Sequence, residues 1–138
     1  MTLKKIITVP DPFLRKKASS VMSISRETIK LLNDMLETMY KANGIGLAAT
    51  QIGNDKRLIV MDCGENKNKS SKEKEEAFKP NPIQMINPII IFKSENLIER
   101  EEGCLSIPGY YGKVKRPDFI KVSYIDEKCK EKFMEANG

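Results

Sequence analysis

Apolar residues recur at Ile29, Leu32, Leu36, Met39 and Tyr40, the spacing of one face of a helix. Ser25 stands where an N-cap belongs, Glu27 falls in the first turn and Lys41 in the last, as the helix dipole favours. Asn43-Gly44 supplies the stop. Residues 25–42 are therefore predicted to be helical. Upstream, Pro10-Asp11-Pro12 forces an extended turn, because a residue before proline avoids the helical region. Beyond the helix the period changes. Residues 57–62, 84–87, 89–92 and 97–102 are short runs punctuated by Pro80, Pro82 and Pro88, and they read as strands. Ile120, Val122 and Tyr124 alternate with Lys121 and Ser123, the pattern of a half-buried strand. A polar turn at 126–130 then leads to a short strand at 131–135, which predicts a hairpin. Residues 65–76 hold four Lys, four Glu and no apolar side chain, so residues 64–79 are expected to form a charged, flexible surface loop.

This order predicts a single α+β domain over residues 1–138, with an N-terminal helix followed by antiparallel or mixed β-sheets. No second helix follows the strands, so the apolar faces of residues 89–92 and 120–125 are expected to lie open. The longest apolar runs are four residues, 58–61 and 89–92, too short to cross a membrane. The opening MTLKKIITVPDP lacks the features of a secretory signal, and a cytoplasmic protein is expected. Charge adds a weaker constraint. Twenty-four Lys and Arg against 19 Asp and Glu give +5, spread as a solvated surface. That balance also suits a polyanion such as RNA or a ribosome. No aromatic-rich nucleic-acid motif supports that polyanion reading, and neither DNA nor a membrane is expected as a partner.

Three widely spaced cysteines, Cys63, Cys104 and Cys129, exclude a disulfide framework and a cysteine-rich zinc module. The count of histidines is zero. The commonest metal ligand and the usual proton shuttle near neutral pH are both missing. Two stretches nonetheless carry chemistry. Residues 44–53, Gly-Ile-Gly-Leu-Ala-Ala-Thr-Gln-Ile-Gly, combine small side chains, which admit a ligand backbone, with the amide of Gln51; the same stretch also fits a tight turn after a helix. Residues 102–112, Glu-Gly-Cys-Leu-Ser-Ile-Pro-Gly-Tyr-Tyr-Gly, place Cys104 between a Glu-Gly step and a Pro-Gly turn. A thiolate there could be a nucleophile or a metal ligand, and a buried inert cysteine fits as well.

Taken together, Gly-Ile-Gly-Leu-Ala-Ala-Thr-Gln and Glu-Gly-Cys-Leu-Ser-Ile-Pro-Gly resemble the first two signature motifs of the peptide deformylase family. The Pro-Asp-Pro-Phe-Leu-Arg opening, the Asn87-Pro88 step and Arg116 agree, and the similarity runs from about Ile6 to Gly138. The resemblance implies a metal-dependent hydrolase that removes the formyl group from the N-terminal methionine of new polypeptides. It implies Cys104 as one ligand of a divalent metal, iron-type or zinc or nickel. Gln51 and the backbone N–H of Leu105 match the groups that stabilise the oxyanion. Gly44, Ile45, Gly46 and Gly103 match the edge where a formyl-Met peptide adds as a strand.

The family's third motif, HExxH, supplies two more ligands and the catalytic Glu, and it has no counterpart here. Glu135-Ala136-Asn137-Gly138 matches the step that precedes it by roughly two helical turns. The expectation is a family member truncated before HExxH, with Cys104 a vestigial single ligand, no cofactor bound and no useful activity alone. Glu102 is expected to pair with Arg116 and not to replace the lost base. The alternatives are one part of a split deformylase completed by a second chain, and a non-catalytic module that binds peptide or ribosome. A Cys104 hydrolase is disfavoured, because nothing in the sequence activates the thiolate.

Overall fold

The computed structural model describes residues 3–64 and 80–137. Apart from Gly64, the charged loop expected over residues 64–79 lies outside them.

The helix α1 (Arg26–Lys41) begins on a capping box: Thr28 N–H donates to Ser25 Oγ at 3.3 Å, and Ser25 N–H donates to Thr28 Oγ1 at 3.4 Å. At its other end the left-handed residue is Asn43 (φ 58°), while Gly44 N–H donates to the Met39 carbonyl at 3.0 Å. Asn43 thus makes the turn, and Gly44 is needed for a different reason given below. The helix buries Leu32, Met35 and Met39 against Leu47, Leu58, Val60 and Ile86, which form the core. Met35 takes a position in this face, whereas Tyr40 turns aside to Asp62.

Among the described residues seven strands follow: β1 (Gly46–Ala48), β2 (Leu58–Met61), β3 (Ile83–Lys93), β4 (Leu97–Cys104), β5 (Ile107–Pro117), β6 (Phe119–Ile125) and β7 (Glu131–Asn137). One sheet has the order β1-β2-β3-β6-β7 and the other pairs β4 with β5; the pairings between these strands are antiparallel, and an isolated bridge from Ser19 to Lys56 is parallel. The expectation of an α+β fold with a helix followed by antiparallel sheets holds. Residues 84–87 and 89–92, expected as separate strands, are one strand, β3. Proline is tolerated inside it because the register slips between Ile86 and Ile89, with Asn87 at φ 53°, so no ladder bond is required of Pro88. The side chain of Asn87 holds the bulge from outside, accepting from Val21 N–H at 2.8 Å and donating to its carbonyl at 2.9 Å.

The strand β5 has no clear apolar alternation, and the expectation missed it. It forms because β4 pairs with it from Leu97↔Pro117 to Cys104↔Ile107. The hairpin of β6 and β7 is as expected. Beyond Ile86, β3 pairs among the described residues with β6 alone, and Ile89, Ile90, Ile91 and Phe92 are 51–53% exposed. The openness expected for residues 120–125 holds only in part, since Val122 is buried. No helix of the described residues is long and apolar enough to cross a membrane.

Candidate active site

The edge strand β1 and the end of β4 meet in one cleft. In the β1–β2 ladder, Gly46 faces Met61 and Leu47 faces Val60, while Asp62 N–H donates to the Ile45 carbonyl at 3.0 Å. Hydrogen-bonded and non-bonded pairs alternate in an antiparallel ladder, so Ile45 and Leu47 bond inward and Gly46 directs its N–H and C=O outward. Among the described residues no strand pairs with β1 on that side, so the backbone of Gly46 is presented at a sheet edge.

The chain next tightens into a 3-10 turn, Ala49–Ile52, which carries Gln51. Its side chain is fixed at both ends. Ala48 N–H donates to Gln51 Oε1 at 3.0 Å, leaving Nε2 to donate to Ser106 Oγ at 3.1 Å and to Cys104 Sγ at 3.4 Å. Ser106 is buried, and Cys104 is exposed at the end of β4. The amide and the thiol, 53 residues apart in sequence, thus touch directly.

Two glycines make this meeting possible. A Cβ on Gly44 would lie 2.6 Å from Leu105 Cδ1, and a Cβ on Gly103 would lie 2.6 Å from Tyr111 Cε1. Gly44 makes room for Leu105, which packs against the hydrophobic core, and Gly103 makes room for the ring opposite it in β5. The candidate residues Gly44, Ile45, Gly46, Gln51, Gly103, Cys104 and Leu105 all line one cleft of about 630 Å³. Its remaining wall comes from Asn43 and from Ile107 to Tyr111, none of which is among the site residues expected from the sequence. The Gly103↔Tyr111 pairing was the signal for that wall, visible only once β5 is known.

The charges nearby are committed elsewhere. Arg116 Nε and Nη2 donate to the two carboxylate oxygens of Glu102 at 2.7 and 2.8 Å, the pair expected from the sequence. Hydrogen bonding to Arg116 holds the Glu102 carboxyl below its usual range. On the far side of β1, the hydroxyl of Tyr40 donates to Asp62, which also accepts from the N–H groups of Gly64 and Asn81 at 2.9 Å each. Burial acts to raise the Asp62 pKa, but these donors outweigh it and the value falls. Burial, and then the Asp62 hydrogen bond, push Tyr40 up to about 12.

A catalytic metal of the zinc type takes three protein ligands and keeps an open position. Cys104 offers one thiol, Glu102 is bound to Arg116, and the sequence has no histidine. Among the described residues no group of three or more His, Cys, Asp or Glu could hold a metal ion. The residues present do not fit such a centre.

A helix packed on antiparallel strands, with an amide and a thiol meeting in a cleft beside an edge strand, defines an α+β protein with a candidate site in that cleft. The polypeptide deformylase family model matches residues 3–138. A peptide deformylase of Rhizobium meliloti is 47% identical over 138 residues, which are 100% of this chain and 74% of that protein. The crystal structure of peptide deformylase from Ehrlichia chaffeensis aligns with a TM-score of 0.87 at 37% identity, over 99% of this chain and 76% of that one. A structure of the Ehrlichia enzyme in complex with actinonin gives 0.86 at 36% identity, over 100% and 77%. The chain belongs to the polypeptide deformylase family. That family is metal-dependent, which sets its chemistry apart from the donor set found here.

Proposed function

We propose that these 138 residues are the peptide-recognising part of a deformylase, and that alone they bind an N-formylmethionyl peptide without hydrolysing it. The peptide adds as an extra strand along the edge of β1, bonding to the outward N–H and C=O of Gly46. Gly44, Ile45 and Gly103 bound this path, and the formyl group lies beside Cys104. Gln51 Nε2, giving up its long contact with Cys104 Sγ, and the backbone N–H of Leu105 are the donors to the formyl oxygen, aimed where negative charge develops when that carbon is attacked. The observation that carries this reading is the Gln51 amide, whose Oε1 is tied to Ala48 N–H and whose Nε2 reaches Cys104. The relative bound to actinonin supports a ligand-binding role for the fold.

Cys104 by itself is too poor a donor set to hold a divalent ion, whether iron, zinc or nickel. Without the metal, bound water keeps its ordinary pKa of about 15.7, against about 7 on a catalytic metal. Among the described residues lining the cleft none replaces the general base, whose loss typically costs about a hundred- to ten-thousandfold. The setting is the cytoplasm, and the net charge of +5 suits approach to the ribosome, where formylated chains emerge.

The exposed run Ile89 to Phe92 favours a second reading, in which another polypeptide covers β3 and brings HExxH with it. The test is titration of the purified chain with formyl-Met and unformylated peptides, with formate release and bound metal measured alongside. Saturable binding of the formylated peptide, background formate and well under one metal per chain are expected. A full equivalent of metal, or turnover by the chain alone, refutes the inactive reading. Hydrolysis restored by a polypeptide containing HExxH selects the split enzyme.

A further inference from the structure

We infer that the N-terminal segment from Ile7 to Val9 is a positioning element of the cleft. Through two backbone N–H groups it holds the turn that carries Gln51 and the turn that follows Cys104 at the separation that aims the Gln51 amide. Its bearing on formyl recognition rests on the peptide reading above; the placement of the amide does not. Ile7 N–H donates to the Gln51 carbonyl at 2.7 Å, and Val9 N–H donates to the Ser106 carbonyl at 2.9 Å. Gln51 and Ser106 are also joined through their side chains, Nε2 to Oγ at 3.1 Å. One short segment thus binds the backbones of both partners in a side-chain bond that spans 55 residues of sequence.

The segment is anchored away from the cleft, on α1. Lys4 N–H donates to Thr38 Oγ1 at 2.9 Å, Lys4 Nζ lies 3.9 Å from Asp34 Oδ2, and Ile6 packs against the core. Ile7 lies beside Gly53, the left-handed residue (φ 81°) that ends the Gln51 turn; a Cβ there would stand 3.3 Å from Ile7 Cδ1. The opposite wall of the cleft needs such a hold. Among the described residues β4 and β5 pair only with each other, and a two-stranded hairpin is marginal in isolation. Its turn at Leu105 and Ser106 is seated by Leu105 against the core, by the Gln51 side chain and by Val9. Apolar burial is non-directional and fixes how deep the turn sits. A hydrogen bond is directional, so the Val9 bond sets the orientation of Ser106 and with it the partner of Gln51 Nε2.

The test uses the 138-residue chain with Val9→Pro and Ile7→Pro, each of which deletes one donor. Val9→Ala keeps the donor, and Asn87→Ala loosens the fold at the β3 bulge instead. Two quantities are read: the nuclear Overhauser effect between the Gln51 side-chain amide and the Ser106 β-protons, and the ratio of affinities for formyl-Met-Ala-Ser and unformylated Met-Ala-Ser. The proline variants should lose the first and lower the second by about three- to tenfold. Val9→Ala and Asn87→Ala should keep both. Retention of the amide contact or of the ratio in both proline variants, or an equal loss in Asn87→Ala, overturns the positioning role. Global unfolding of both proline variants, read by far-UV circular dichroism, also overturns it, because the segment is then a structural support of the whole domain. A wild type indifferent to formylation, whose amide contact is lost in the proline variants, overturns the peptide reading and leaves the positioning of Gln51 standing.

Discussion

Replacing Gly44 by Ala brings a methyl carbon to 2.6 Å from Leu105 Cδ1, 3.2 Å from its Cγ and 3.4 Å from Cδ2. Carbon atoms prefer separations of about 3.5–4.0 Å, so the Leu105 side chain must retreat by about 1 Å. It cannot do so freely, because it packs against the cluster that includes Met39, Leu47 and Val60. Gly44 does not adopt a positive φ, so the penalty is purely steric. Overpacking of this kind costs about 1–3 kcal/mol. For a domain of this size, a loss of about 2 kcal/mol corresponds to about 6–10 °C in Tm. The chain contains no Trp, so unfolding is best followed by far-UV circular dichroism in urea. The Leu105→Ala background removes the obstruction, and there the Gly44→Ala penalty should fall below about 0.5 kcal/mol, a coupling of about 1–2 kcal/mol. Equal penalties in the two backgrounds, or a Gly44→Ala protein as stable as the wild type, would refute the packing argument.

Gln51→Glu keeps the shape of the side chain but removes the donor that faces Cys104 and Ser106. Affinity for a formyl-Met peptide should fall by about tenfold, measured by calorimetry; a change below twofold would remove Gln51 from formyl recognition. Asp62→Ala leaves the N–H groups of Gly64 and Asn81 without their acceptor and should destabilise the chain by about 1–3 kcal/mol in urea unfolding. The pH dependence has two sides. The Asp62 pKa is lowered on folding, so its contribution is complete above the ordinary carboxylate value and is lost as pH falls through the lower folded one. Tyr40 is raised to about 12, so its contribution is complete below 10.0 and is lost as pH rises towards the folded value. The stability difference between wild type and Asp62→Ala should therefore be flat between about pH 5 and 9. For Glu102 and Arg116, whose side chains are 35% and 63% exposed, a double-mutant cycle should give less than about 1 kcal/mol, shrinking with added salt.

The parts of this molecule legible in its sequence are those decided within a few residues. The capping box at Ser25 and the apolar face of α1 involve partners three or four positions away. The alternation in β6 reports burial on one face, and the Glu-Gly-Cys and Gly-Ile-Gly segments announce a cleft. Position 88 was misread because proline ordinarily ends a strand, and only the bulge at Asn87, pinned by Val21, lets β3 continue through it. The strand β5 escaped notice for a related reason. Its run of Gly, Tyr and Lys has no preference of its own and becomes a strand through the partner β4.

At the site the same division holds. The identities of Gln51 and Cys104 stand in the chain for anyone to read, and so does the lack of histidine. That Ser106 locks the amide, that Gly44 exists for Leu105, and that Gly103 exists for Tyr111 emerge only in three dimensions. Local preferences act through backbone torsions and nearest turns, so they are written in short stretches of sequence. Steric fit and side-chain hydrogen bonding act through space between segments as far apart as Gln51 and Ser106, and folding alone brings those together.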